Sequence, residues 1–209
     1  MYFRNLSKKS EKKKEKAKMN LKKAVSFILA TAMSAMLLTS CGEESDVPEG
    51  MQLVENEFVN YEFYVPTDWT PNTSIDGFLS AKANDNSNVS VQTMTWSNQF
   101  GSLDAYFRED YFKKLETTFK DITLLEEECS IENQTVGVQK NPAAKYVYTV
   151  GSDNATYKIM QYFSYNAGYI YIITYTGKIS DTVNGEEKEV KYFEEHLEEV
   201  SSIIDNFVF

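Results

Sequence analysis

The chain has 209 residues, of which 21 are Lys or Arg and 31 are Asp or Glu, for a net charge of −10. The charge is divided unevenly: residues 1–40 hold ten basic side chains against only Glu11 and Glu15, and the other 169 residues hold 11 basic and 29 acidic groups, a net of −18. So acidic a body repels phosphate and excludes nucleic-acid binding, and one His with two Cys excludes a Cys/His zinc cluster or a disulfide framework. A basic head on an acidic body points to a targeting segment ahead of an exported domain.

Residues 1–40 read as that segment. Lys22 and Lys23 precede an uncharged, mostly apolar run from Ala24 to Leu38. The run is shorter than the ~20 residues of a spanning helix and matches the apolar core of a secretory signal. It ends in Leu38-Thr39-Ser40-Cys41-Gly42. This ending resembles the lipobox of bacterial lipoproteins. The resemblance implies diacylglycerol transfer to the Cys41 sulfur and cleavage just before it. The mature protein would then begin at Cys41 and sit on the extracytoplasmic face of a cell membrane without crossing it, held by more than one acyl chain. Residues 1–18 exceed what a signal needs, because Met19-Asn20-Leu21-Lys22-Lys23 already forms a basic start. Lys14-Glu15 can be encoded as a purine-rich ribosome-binding tract, so translation is expected to begin at Met19. Residues 41–55, rich in Glu and Asp with Pro48 and Gly50, read as a lipidated acidic tether, in which the thirteen residues Glu43–Glu55 reach at most about 45 Å.

Residues 56–209 are the size of one domain with a substantial core. Val59, Tyr61, Phe63 and Val65 alternate, predicting a strand that ends at Pro66, followed by a turn over Thr67–Pro71. Gly77–Ala83 and Val89–Trp96 read as strands joined across Asn84–Asn88. Ser102 is placed to cap a helix reaching about Phe119, with Leu103, Tyr106, Phe107, Tyr111 and Leu115 at helical spacing. Ile122–Ile131 reads as a strand, and Ala144–Val150, Tyr157–Tyr165 and Tyr169–Thr176 as an antiparallel meander. Asn184 and Glu187 fit a capping box before a terminal helix whose stripe is Val190, Phe193, Leu197, Val200 and Ile204. Asn206-Phe207-Val208-Phe209 is expected to pack back on the sheet. The class is α+β, an antiparallel sheet with helices packed on it. The order of elements, with Pro66-x-x-Trp69 after the first strand and Ile203-Ile204-Asp205-Asn206-Phe207 at the end, resembles the PsbP-like superfamily. That resemblance implies a single domain with a sheet between helical layers, and it brings no catalytic residue.

Tests for chemistry find no assembled set. His196, the only histidine, follows Glu195 and is expected on the solvated face of the terminal helix, not in a pocket. Cys129 follows Glu126-Glu127-Glu128, whose charge opposes a thiolate, and reads as a partly buried strand residue. Asn84, Asn86 and Asn88 imitate the start of a calcium loop, but its glycine and its final glutamate are missing, which leaves a hairpin turn. The pairs Glu194/Glu198 and Glu195/Glu199 read as a solvated face. Aromatics on the strands, with Trp69, Trp96, Tyr148 and Tyr171 foremost, either fill the core or form a recognition platform. The expected function is therefore non-catalytic binding, without cofactor or metal, of another envelope protein. The alternative is a glycan or small ligand held in an aromatic groove.

Overall fold

The computed structural model describes residues 47–152 and 154–209, and residues 47–209 form one compact unit. The leader, the lipobox with Cys41 and residues 42–46 of the tether lie outside the described residues. The folded unit begins before residue 56. Met51–Val54 is a strand, β1, paired antiparallel with β2 (Phe63–Pro66), and Val54 is buried. The tether boundary at residue 55 therefore moves back into the acidic segment, because the apolar quartet Met51-Gln52-Leu53-Val54 finds a partner strand.

The main sheet has nine strands. They are β3 (Thr70–Ile75), β4 (Phe78–Lys82), β5 (Asn88–Thr95), β6 (Ile122–Leu124), β7 (Ser130–Val136), β8 (Asn141–Ser152), β9 (Ala155–Asn166), β10 (Tyr169–Val183) and β11 (Glu186–Glu189). The order is β3-β4-β5-β10-β9-β8-β6, with β7 beside the first half of β8 and β11 beside the end of β10. Every pairing is antiparallel. The expected meander is present, with each strand longer than predicted, because its ends carry polar residues that continue the ladder without an apolar signal.

Strand alternation sends side chains to two cores. Val89, Val91, Val147, Met160, Tyr171, Ile173 and Tyr175 enter one, which β1, β2 and the terminal helices α3 (Tyr192–Glu195) and α4 (Leu197–Asp205) cover. Tyr146, Tyr148, Phe163, Ile170 and Ile172 enter the other. A helical stretch covers that second face: α1 (Leu103–Tyr106), a π-turn over Phe107–Tyr111, and α2 (Phe112–Thr118). Helices on both faces make the antiparallel α+β arrangement that the sequence predicts. Ser102 caps α1, accepting from the Ala105 N–H at 3.1 Å. The π-turn absorbs one residue, so the adjacent Tyr106 and Phe107 are both buried, and Phe107 stacks on Tyr146 at 3.5 Å between centroids.

Four local expectations fail, each for a physical reason. The turn over Thr67–Pro71 is shorter, because Thr70–Ile75 continues as an exposed edge strand that tolerates Pro71. The strand Ile122–Ile131 is broken at Glu126–Glu128 by a 3₁₀ turn, so β6 and β7 pair with different halves of β8. Asn184 caps no helix. Asn184 and Gly185 have φ of 56° and 82° and form the two-residue turn of the β10–β11 hairpin. The terminal helix breaks at His196, and the break rotates Leu197 out to 39% exposure while Val200, Ile203 and Ile204 remain buried. Phe207 is fully buried, and Glu62 and Val208 exchange backbone hydrogen bonds, so the chain end does pack back on the sheet.

Candidate functional site

Trp69, Tyr148 and Tyr171 are 2%, 3% and 1% exposed and belong to the cores. They cannot present a ring to a ligand, and the recognition-platform reading is corrected for these three. Trp69 follows the β2 turn and lies under α4, where its Nε1–H donates to Glu199 Oε2 at 3.1 Å. Tyr171 accepts from Asn60 Nδ2 at 3.1 Å and meets the edge of Tyr61. Burial raises the pKa of the Tyr148 hydroxyl, which keeps it neutral.

Trp96 is the aromatic that remains half-exposed. It directly follows β5, with its backbone N–H held by the Gly168 carbonyl at 2.9 Å. The chain then makes a short 3₁₀ turn, Asn98–Phe100, that brings Phe100 back beside Tyr106 at 5.3 Å between centroids. Trp96 meets the edge of Tyr106 at 6.1 Å and of Tyr165 at 6.4 Å. Met94, Trp96, Phe100, Tyr106 and Ile170 wall a cleft of about 190 Å³, with Asp110 and Lys114 on its margin. Those two form an i,i+4 ion pair at 2.7 Å. The Tyr106 hydroxyl reaches Met94 Sδ at 3.1 Å, and burial followed by the nearby Asp110 charge raises its pKa. The cleft therefore offers flat apolar walls with a neutral polar edge. Trp96 was legible as a candidate; Phe100 and Tyr106 were not tied to it, because only the 3₁₀ turn and the packing of α1 bring the three rings together.

His196 does not sit on a solvated face. Its Nδ1 lies 2.6 Å from Glu199 Oε2 and its Nε2 lies 3.2 Å from Asp85 Oδ2, with Trp69 edge-on at 5.4 Å. Burial pulls its pKa down, but the hydrogen bond to Glu199 and the charges of Asp85 and Glu199 outweigh this, and the net shift is upward. The cluster ties α4 to the β4–β5 hairpin. The helix break at His196 also separates the Glu194/Glu198 and Glu195/Glu199 pairs, which do not share one continuous helix.

Cys129 is half-buried as expected, but it follows the 3₁₀ turn and precedes β7 instead of lying in a strand. Its Sγ lies 3.3 Å from the Leu125 carbonyl and 3.4 Å from the Val147 N–H. Burial is the main cause of its raised pKa, and the Glu126 charge is a smaller one. Glu126 is occupied by Arg108, which binds it through two nitrogens at 2.8 and 3.0 Å and reaches Asp104 at 2.9 Å. That contact holds the Glu126 carboxyl below its usual range. The Asn84–Asn88 segment closes as a hairpin turn, with Asn86 at φ 72° and Asp85 accepting from the Ser87 N–H. Among the described residues no group of three or more His, Cys, Asp or Glu is arranged to hold a metal ion.

No protein-family model matches the chain, and no curated protein matches it. Among solved structures, the cyanobacterial PsbP (CyanoP) of Synechocystis sp. PCC 6803 is similar over 82% of this chain and 99% of its own, at 14% identity and a TM-score of 0.49. A Bacteroides thetaiotaomicron protein is similar over 70% of this chain, at 11% identity and a TM-score of 0.39, and the chain spans 44% of its length.

Proposed function

We propose that the chain is a bacterial lipoprotein, anchored through acyl chains on Cys41 at the extracytoplasmic face of the cell membrane. Its single PsbP-like domain binds another envelope protein and catalyses no reaction. The observation that carries the binding reading is the Trp96 cleft. At about 190 Å³ it is smaller than the roughly 300–1,000 Å³ of pockets that enclose a small ligand, and its walls are apolar and aromatic. A cleft of that size accepts one side chain of a partner, in the manner of a buried anchor at an interface. The charge of −18 on the body favours a basic partner and steers the encounter. His196 is engaged with two carboxylates and the Cys129 thiol is held protonated, which argues against either as a nucleophile or base. A glycan is the second reading, since the rings of Trp96, Phe100 and Tyr106 also suit the apolar face of one sugar.

Two measurements test the proposal. Cys41→Ala should abolish lipidation and leave the precursor uncleaved; normal maturation by intact mass would contradict the anchor. A photo-crosslinking amino acid in place of Gln99, at the cleft margin, should yield a discrete adduct with an envelope protein in intact cells, and Trp96→Ala should remove it. Absence of any protein adduct, together with Trp96-dependent binding on a glycan array, would favour the glycan reading.

A further inference from the structure

The antiparallel register sorts the turns of the domain to two ends. One end holds the β4–β5 hairpin, the Trp69–His196 cluster and the point where the chain enters the fold, since Gly50 O accepts from Thr67 N and Gln52 Nε2 donates to Trp69 O. The other end holds the 55–61 loop, the Asp76-Gly77 turn, the 96–101 segment, the 137–140 turn and the 166–168 turn. The pairings Thr95 with Tyr169, Tyr169 with Asn166 and Ala143 with Ser164, with Val136 opposite Asn141, place the last three at the same end. Asn56 Nδ2 to Ile75 O at 3.3 Å and Asn60 Nδ2 to Tyr171 OH at 3.1 Å bring the 55–61 loop to the same end.

This second end holds five of the ten large apolar side chains that are exposed among the described residues, the others being scattered. Phe58, Ile75, Val138, Tyr165 and Tyr169 all lie there, between 43% and 57% exposed. The segments 96–101 and 165–169 contain no charged residue. The Trp96 cleft opens on one face of the sheet at this end. A second groove, of about 310 Å³, lies by the 55–62 loop, lined by Glu55, Asn56, Val59, Tyr61, Glu62 and Val208 among others. Exposed Tyr165 meets the Trp96 ring beside the cleft, and exposed apolar surface next to a concavity marks an interaction site.

The charges at this end specify the partner. Lys140 is engaged by Asp205 at 2.7 Å and Lys114 by Asp110. Glu55, Glu57 and Asp76 form no ion pair among the described residues. No Lys or Arg occurs anywhere from residue 42 to residue 81. The uncompensated charge is therefore negative, which suits a basic segment and repels an anionic bilayer.

Resting on the reading that the domain binds a protein, we infer that this end is the docking face. Its occupant is a protein segment that places an apolar or aromatic side chain in the Trp96 cleft and a Lys or Arg beside Glu55 and Glu57. The test uses the full lipid-anchored protein with the crosslinker at Gln99. The double variant Phe58→Ser/Ile75→Ser, at exposed positions, should lower adduct yield roughly tenfold, the loss expected when anchors of an interface are removed, with the thermal midpoint unchanged. A synthetic Arg-Phe-Ser repeat peptide should compete with the adduct, and a Glu-Phe-Ser repeat should not. An undiminished adduct in the double variant would overturn the end-face inference and leave the Trp96 reading standing. Absence of a protein adduct in the parent would overturn both. Equal competition by the two peptides would overturn the basic partner. Flotation of residues 42–209, which carry neither leader nor acyl chain and include the whole compact unit, with phosphatidylglycerol vesicles, lost in the double variant, would assign the face to lipid and overturn the inference.

Discussion

His196 has a carboxylate against each ring nitrogen, so only the doubly protonated ring can donate to both Glu199 and Asp85. Its pKa in the folded protein is raised above the usual value of about 6.5. The stabilisation is therefore fully present below the unfolded value and is lost as pH rises through the folded one. We expect the difference in urea-unfolding free energy between the parent and His196→Gln to be larger near pH 6 than near pH 9; a difference independent of pH would contradict the clasp. The sequence showed that the only histidine stood among glutamates, but not that Asp85 would meet it from a hairpin 111 residues away. The same limit applies to Trp69, Tyr148 and Tyr171. A tyrosine on a strand satisfies a core and a binding surface equally well on paper, and only the layer packed above it decides. Leu197 and Ile203 give a sharp contrast. Leu197→Ala should cost about 1 kcal/mol because the residue is 39% exposed and leaves no closed cavity, whereas Ile203→Ala, at a fully buried position, should cost about 2–5 kcal/mol. Denaturant midpoints of the two variants check this, and equal losses would place Leu197 in the core.

Elements with strong periodicity and local punctuation were legible. Val89 and Val91 alternate on β5, Ser102 caps α1, and the turns after β8 and β9 fall where polar residues interrupt the Tyr-rich runs. Elements without apolar signal were not. β3 is exposed at all six positions and β11 at all four, so nothing in their hydrophobic pattern reveals them. β11 does have a local cue in Asn184-Gly185, the residue pair that a two-residue hairpin turn requires, although Asn184 also fits a helix cap three residues before Glu187. Gly185 sits at φ 82°, so Gly185→Ala should introduce strain of roughly 1–2 kcal/mol at the turn. Because β11 is an edge strand, the effect should be local. Amide exchange should accelerate across Glu186–Glu189 and remain slow in the β8–β9 ladder. Faster exchange throughout the sheet would show that the hairpin supports the whole domain.

Across the whole molecule, the order of strands and helices implied an antiparallel sheet with helices packed on it, and the structure adds that the long strands feed a core on each face. The sequence did not specify which end of that sheet would be left uncovered. That property depends on loops contributed by five separate parts of the chain, each unremarkable in composition alone. Register gathers them, and with them the two concavities and the uncompensated carboxylates that favour a basic protein segment. Exposed charges are screened beyond about 8 Å at physiological ionic strength, so a charge-steered encounter weakens as salt rises. Stacking of a neutral sugar on Trp96 has no such dependence. The most direct test is the yield of the Gln99 adduct in isolated membranes across a salt series, in the parent and in Trp96→Ala. We expect a protein adduct in the parent that falls steadily with salt and is lost in the variant; an adduct of constant yield, indifferent to both salt and Trp96, would contradict docking of a basic partner at the Trp96 cleft.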